Sequence, residues 1–180
     1  RVTALQHGQQ IFNLSASFRV PETGLEHQIA MPALPGPDGL LDEDELRAAG
    51  GETETRRTWP VEVRPIDPPP YGTAPVMDPE QAIWFRAREP LGADPMIHQC
   101  ALAYATDMTL LDTSLRPHGI PWSEGRLQVA SLDHALWFHH ATDFTQWHLY
   151  VQDSPSASGG RGFNRGSIFD QSGKLVASAT

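Results

Sequence analysis

One long apolar helix followed by several strands dominates the second half of the sequence. The helix is predicted to begin at Asp94-Pro95, because Asp is a favourable N-cap and Pro fits the first helical position. The apolar residues that follow recur at helical spacing and predict one buried stripe, formed by Ile97, Cys100, Ala101, Tyr104 and Met108. One strand is predicted before the helix, at 81–88, and four after it, at Leu127–Phe138, Trp147–Gln152, Gly162–Phe169 and Leu175–Thr180. These elements predict an α+β fold in which a curved antiparallel sheet wraps a central helix.

The N-terminal part of the sequence has a different character. A hairpin is predicted first, with Val2–Leu5 leading to Ile11–Val20. Most of the 16 prolines lie at or before position 80, and this density indicates a linker that runs over a surface. Within it we expect a short acidic helix near Leu40–Ala49 and a brief strand at Val61–Ile66. Because both ends read as interrupted strands and no Met begins the chain, we expect the sequence to be truncated at both ends.

Charge and composition narrow the class of protein. The formal net charge of −9 argues against a nucleic-acid surface, which needs clustered Lys and Arg, although a local basic patch can still bind a polyanionic ligand. Cys100 is the only cysteine and lies among apolar residues, which suits a reduced, cytoplasmic compartment. No run approaches the roughly 18 apolar residues that a membrane span needs. We therefore expect neither nucleic acid nor a membrane span.

Asp107 interrupts an apolar stretch of the predicted helix. It follows Cys100 by seven positions (107 − 100), about two helical turns, so the two residues share one face. If that face is buried, the carboxylate needs hydrogen-bond partners and is suited to act as a general base. The alternative is a carboxylate near the helix C-terminus that faces solvent or bonds a loop.

A serine, an aspartate and a histidine occur together at Ser131, Asp133 and His134 and suggest a hydrolytic triad. In a strand, however, positions 131 and 133 share a face while 134 points away. The G-x-S-x-G turn that carries the serine nucleophile of α/β-hydrolases is absent. The residues alone leave open both an ordinary polar strand residue and a functional hydroxyl at Ser131.

Several histidines crowd the same region and raise the question of a metal site. His139 and His140 would face opposite sides of a strand, and the sequence contains no HExxH motif or cysteine pair. We therefore predict no metal. Asp133 and His134 are expected to be structural or to shape a site through hydrogen bonds.

A stretch of small residues, Ser154–Gly166, would let a backbone approach closely. Arg161 and Arg165 lie on the same side if it forms a strand, and such a pair could hold a phosphate. It does not match the G-x-G-x-x-G fingerprint, so a strand junction packed against a neighbour is an equal alternative.

These segments together resemble the type II acyl-CoA thioesterase family. The most specific match is the stretch 130–139, Ala-Ser-Leu-Asp-His-Ala-Leu-Trp-Phe-His. Weaker matches follow the family order along nearly the whole chain: Gln10–Phe18, Glu26–Gln28, Val61–Pro65, Tyr104–Asp107, Pro117–Gly119 and Ser154–Gly162.

The resemblance implies a double hotdog, two hotdog units fused in one chain. Residues 1–20 would be the terminal strands of the first unit and 21–57 a linker with the short acidic helix. Residues 58–180 would form most of the second unit, truncated at its C-terminal end. Oligomers assembled through hotdog sheets are also implied.

The resemblance further implies a water-activating site made of an Asp, a Ser or Thr, and a Gln. Asp107 and Ser131 match the first two, while the Gln would follow Thr180, beyond the sequence. The expected reaction is hydrolysis of medium- or long-chain fatty acyl-CoA to fatty acid and CoA, in lipid metabolism and without a cofactor.

Substrate contacts are expected from three further residues, Arg161, Gly160 and His134. Two other functions stay open. A hotdog enoyl-CoA hydratase would pair the Asp with a His five residues later, but that position holds Asp112. A non-catalytic acyl-CoA binding module would have an apolar residue in place of the Gln.

Overall fold

The secondary structure alternates strands and helices around one long helix. A computed structural model describes residues 1–20, 22–52, 59–121 and 125–180; Pro21 and residues 53–57 of the predicted linker lie outside them. The strands are β1 (Val2–Gln6), β2 (Gln9–Leu14), β3 (Val61–Ile66), β4 (Glu80–Ala87), β5 (Leu136–Phe138), β6 (His148–Ser158), β7 (Arg161–Asp170) and β8 (Leu175–Ala179). The helices are α1 (Glu43–Ala49), α2 (Pro95–Leu110) and α3 (Asp112–Leu115), followed by a 3-10 turn at Arg116–His118.

Strands β3 to β8 form one antiparallel sheet of six strands, in the order β3-β4-β6-β7-β8-β5. Helix α2 packs against one face of this sheet, so the predicted combination of a long helix and an antiparallel sheet is confirmed. Strands β1 and β2 pair with each other in a separate two-stranded sheet.

Both helices begin at a capping residue, and the predicted start of α2 is confirmed. Helix α1 begins at Glu43, three residues after the predicted Leu40 (43 − 40). The Asp94 side chain accepts a hydrogen bond from the main-chain N–H of Met96 at 2.9 Å, and Pro95 occupies the first turn of α2. Asp42 caps α1 in a capping box with Glu45, with both bonds at 2.8 Å. Each cap satisfies main-chain N–H groups that have no partner inside the helix.

The buried face of α2 differs from the predicted one. Three of the five residues of the predicted stripe are exposed: Ile97 and Tyr104, at 45% and 53%, and Cys100. The other two, Ala101 and Met108, are partly buried against the core. The residues that face the sheet are His98, Leu102, Ala105, Thr106, Thr109 and Leu110. The helix is apolar around much of its circumference, so spacing alone did not distinguish the face that packs.

The main core lies between α2 and the sheet. Leu102 is fully buried, and it belongs to the same cluster as Phe85 of β4 and Tyr150 of β6. The rings of Phe85 and Tyr150 stack with their centroids 5.3 Å apart. This packing fixes the height and rotation of α2 above the sheet.

A second, smaller core covers the outer face of the sheet. Trp84, Leu149 and Phe169 pack there with residues of the Pro-rich linker, including Met31. The Trp84 indole N–H donates to the Pro35 carbonyl at 2.7 Å. These residues of the linker, between Met31 and Leu40, therefore lie on the sheet surface.

The predicted strand Leu127–Phe138 is mostly wrong. Only Leu136–Phe138 is a strand, and main-chain pairing with the sheet begins at Ala135, which exchanges two 2.9 Å bonds with Thr180. Residues 125–134 instead lie outside the sheet, and two of their side chains bond α2.

Two other strand bounds differ from the predictions. Strand β2 ends at Leu14, whereas the hairpin was predicted to reach Val20. Strand β6 extends through the Ser-rich stretch to Ser158, with a register shift between Asp153 and Ser156. Pro155 lies within that shift, and because proline has no N–H, the ladder cannot stay regular there.

Candidate active site

The carboxylate of Asp107 and the hydroxyl of Ser131 meet on the side of α2 that faces away from the sheet. The Ser131 hydroxyl donates to Asp107 Oδ1 at 2.9 Å, across 24 positions of sequence. The two residues predicted to act together are thus in direct contact.

Asp107 shares the face of Cys100, as predicted, but that face is exposed. The expectation of a buried carboxylate is therefore wrong. The Asp107 side chain lies at the end of an exposed row of apolar residues on α2 that includes Ile97 and Tyr104. A polar pair beside an apolar track can accommodate a molecule that has a polar reactive group and a long apolar tail.

A second contact lies one residue before Asp107. His134 Nε2 is 3.1 Å from the hydroxyl oxygen of Thr106. The Tyr150 hydroxyl donates to the Thr106 carbonyl at 3.1 Å from the opposite side. Burial and the negative charge of Asp107 raise the pKa of Tyr150, so its phenol stays a neutral donor.

The triad suggested by Ser131, Asp133 and His134 does not form. The described contact of His134 is with Thr106, whereas Ser131 directs its proton to Asp107. Asp133 is exposed. Among the described hydrogen bonds, the serine hydroxyl is therefore paired with the carboxylate of Asp107 and not with a histidine.

The structure places Gly160 and Arg161 at the tip of the β6–β7 hairpin. Gly159 and Gly160 make the turn with φ values of 58° and 71°, and Arg161 is exposed. The tip packs beside α3, since a Cβ on Gly162 would lie 2.5 Å from the hydroxyl of Ser114. The close backbone approach predicted from the small residues thus occurs at Gly162.

Arg165 has a partner of its own in the sheet. Its Nε donates to a carboxylate oxygen of Asp153 at 3.1 Å. This ion pair partly neutralises the charge that a phosphate would need, so of the two predicted arginines Arg161 is the better placed for an anion.

Two further histidines of this region bond the protein itself. His139 Nε2 lies 2.9 Å from the Ser178 hydroxyl, and His148 Nε2 lies 2.6 Å from that of Thr142. Among the described residues, no group of three or more His, Cys, Asp or Glu side chains could hold a metal ion.

Asp112 occupies the position at which a hotdog hydratase would have a histidine, and its environment is unusual. It lines a cavity of about 130 Å³ together with Glu43, Thr109 and Arg116. Burial, and then the negative charge of Glu43, raise the pKa of Asp112 to about 6. The spacing could not reveal this, because Glu43 belongs to α1 and approaches from a distant part of the chain.

Within the described part of the chain, no helix has the length and apolar character to cross a membrane.

The fold and this site define a hotdog-type protein. One similar solved structure is a conserved protein with a hot dog fold from Alicyclobacillus acidocaldarius, with a TM-score of 0.59 at 19% identity over 88% of this chain and 55% of that one. At this identity the likeness shows the fold alone.

The chain belongs to the acyl-CoA thioesterase family, whose profile matches residues 52–180. It is 36% identical to acyl-CoA thioesterase 2 of Haemophilus influenzae over 98% of this chain and 64% of that protein. It is also similar to the acyl-CoA thioesterase II TesB2 of Mycobacterium marinum, with 42% identity and a TM-score of 0.77 over 98% of this chain and 63% of that one. The chain thus spans slightly less than two thirds of the length of these relatives.

Proposed function

We propose that the protein hydrolyses fatty acyl-CoA thioesters to a free fatty acid and CoA. The observation that carries the proposal is the 2.9 Å hydrogen bond between Ser131 and Asp107 at the end of an exposed apolar helix face. Membership in the acyl-CoA thioesterase family supports the same reaction.

In the proposed mechanism Asp107 is the general base. Its Oδ1 accepts a hydrogen bond from the Ser131 hydroxyl, and its other carboxylate oxygen is left to take a proton from water. The Ser131 oxygen keeps lone pairs that can accept the second water proton and so orient the molecule. Proton transfer to a positioned carboxylate contributes roughly 10²–10⁴-fold to a rate.

The activated water then attacks the thioester carbonyl carbon. A C–O bond forms, the C–S bond breaks, and the electron pair leaves with the CoA sulfur. The sulfur takes up the proton that Asp107 removed from water, which gives the thiol and returns the carboxylate to its charged form. A thiol pKa of about 8.5 makes this a good leaving group, so a strong general acid is unnecessary. Ser131 forms no covalent bond in this scheme.

The direction of β8 bears on the third water-orienting group that the family resemblance implies. Thr180 pairs with Ala135, only four positions after Ser131 (135 − 131). A Gln following Thr180, as the family resemblance implies, would therefore continue toward the Ser131–Asp107 pair. We propose that it is the third water-orienting residue.

Substrate binding is proposed to use two separate surfaces. The acyl chain, of medium or long length, would lie on the apolar face of α2 at Ile97, Cys100 and Tyr104, which leads directly to Asp107. The exposed cation of Arg161, on the Gly160 turn, is proposed to meet a phosphate of CoA.

The architecture of the whole protein is part of the proposal. Apolar side chains of the isolated β1–β2 hairpin, such as Leu5 and Ile11, are 66% and 61% exposed. This suits residues 1–20 as the end of a first hotdog unit, 21–57 as a linker and 58–180 as a second unit. We propose a cytoplasmic homo-oligomer assembled through hotdog sheets.

The test uses the full-length gene product with palmitoyl-CoA and a thiol reagent that detects released CoA. Asp107→Asn keeps the shape of the side chain but cannot take a proton, and kcat should fall at least about 100-fold. Asp38→Asn, at an exposed turn, is the matched control. Near-normal turnover by Asp107→Asn would contradict the proposal.

A further inference from the structure

The segment that carries Ser131 is held to α2 by two side-chain contacts. Ser131 forms a hydrogen bond with Asp107, and His134 forms one with Thr106. Two residues of the segment that are three positions apart thus contact two neighbouring residues of the helix. The main-chain pairing of this segment with the sheet begins only at Ala135. These two side chains thus link the segment to α2 ahead of the point where it joins the sheet.

The Thr106 hydroxyl has one proton and two neighbours in reach, the Ala103 carbonyl at 3.0 Å and His134 Nε2 at 3.1 Å. A carbonyl oxygen only accepts, so Thr106 is the donor in its contact with Ala103. While the proton points there, the contact with His134 is one in which Nε2–H donates. This arrangement requires a ring that carries its proton on Nε2.

Thr106 is a rigid anchor for this bond. It is fully buried, and its carbonyl accepts the hydroxyl of Tyr150, which is fully buried in the sheet core. Because Thr106 directly precedes Asp107, a side chain bonded to Thr106 is also held at a fixed distance from the Asp107 carboxylate.

We propose that His134 is a positioning residue that holds Ser131 at hydrogen-bond distance from Asp107 through its Nε2–H bond to Thr106. This rests on the proposed thioesterase function. His134 acts through Thr106 and does not touch the reacting atoms. Loss of a bond that sets the geometry of reacting groups lowers the rate without removing contacts to the substrate.

The first experiment compares three variants at position 134 in the full-length protein with palmitoyl-CoA. Gln can present an N–H near the position of Nε2, whereas Asn presents one nearer Nδ1 and Ala presents none. His134→Ala and His134→Asn should lower kcat about 10–100-fold with KM unchanged, and His134→Gln should restore most of the rate. The control is His7→Asn, at a turn with φ of 50° that Asn tolerates.

A variant on the helix side removes the same bond and covers the case in which His134→Ala does not fold. Thr106→Val keeps the shape but lacks the hydroxyl, while Thr106→Ser retains it. Thr106→Val should lose as much kcat as His134→Ala, Thr106→Ser should not, and the double variant should be no slower than either single one. Thermal unfolding of each variant separates a folding defect from a kinetic one.

Nitrogen-detected NMR of the His134 ring gives a readout independent of activity, with Nε2–H expected. The proposal is overturned by a neutral Nδ1–H tautomer, by additive losses in the double variant, or by a raised KM with normal kcat in His134→Ala. If Asp107→Asn retains activity, the thioesterase mechanism itself fails. If Asp107→Asn is inactive and His134→Ala is not impaired in kcat, only the role of His134 fails.

Discussion

The two faces of α2 differ in an unexpected way: the buried face contains polar side chains, and the exposed face contains large apolar ones. The face against the sheet includes His98 and Thr106, while the exposed face carries Ile97 and Tyr104. The buried polar groups have partners: His98 Nε2 lies 2.9 Å from the Gly92 carbonyl, and the Phe144 N–H donates to His98 Nδ1 at 3.0 Å. A satisfied polar group can be buried at little cost, so apolar character alone does not decide which face packs.

The difference also bears on function. A face left exposed although it is apolar is available to another molecule or another part of the protein. Asp107 lies on this face, in contact with Ser131. The buried face therefore holds residues that stabilise the fold, and the exposed face holds residues proposed to act on a substrate. Substitutions on the two faces should then have different effects.

The largest effect on stability should come from the buried face. Leu102 is fully buried in the main core, so Leu102→Ala removes apolar contacts and leaves a cavity. We expect the free energy of unfolding to fall by about 2–5 kcal/mol, measured by urea denaturation. A loss as small as that of an exposed position would contradict the assignment of the faces.

Asp112, just after α2, should lower stability at neutral pH. Its pKa is raised from 3.8 to about 6 in the folded protein, so the folded state binds the proton more tightly than the unfolded state. The contribution of Asp112 to the free energy of unfolding is therefore fully present below the pKa of the unfolded state, 3.8. It is lost as the pH rises through the pKa of the folded state, about 6.

Asp112→Asn should therefore raise the free energy of unfolding at pH 7 by roughly 2–3 kcal/mol, with little gain at the acid end. The measurement is a series of urea denaturation curves at pH values from below 3.8 up to 7, with the exposed Asp38→Asn as the control. An equal gain at all pH values would exclude this explanation.

A smaller effect on the free energy of unfolding is expected at the N-cap of α2, which stabilises the start of the helix and does not belong to either face. Asp94→Ala removes the 2.9 Å bond to the Met96 N–H. The expected loss is about 1 kcal/mol, seen as a lower Tm, and Asp94→Ser should recover most of it. If Ser does not rescue the loss, the cap is not its cause.

The smallest effect on folding should come from the exposed face. Tyr104→Ala should change the free energy of unfolding by no more than about 0.5 kcal/mol. The same variant should raise KM for palmitoyl-CoA and for a shorter acyl-CoA alike, because Tyr104 lies one helical turn before Asp107 and is proposed to contact the part of the alkyl chain nearest the thioester. An unchanged KM for both substrates would remove Tyr104 from the acyl track.

Local signals in the sequence predicted the elements that local chemistry controls. Asp94-Pro95 marks the start of α2, and Val61–Ile66 is a strand with the predicted bounds. The pairing of Asp107 with Ser131 was also predicted, although through family resemblance, since neither residue alone excluded an ordinary structural role. The proposed acyl-CoA chemistry has the same origin.

Other features depended on groups far apart in sequence. The sheet core selected the face of α2 that carries Leu102, and contacts with Asp107 and Thr106 hold residues 131–134 away from the ladder predicted for them. The approach of Glu43 to Asp112 likewise required α1 to fold back. Caps and turns are set by hydrogen bonds within a few residues, so the sequence by itself determined them. The face of α2 that packs, the position of residues 131–134 outside the sheet and the pKa of Asp112 depend on groups that are distant in sequence. Only the tertiary structure decided these features.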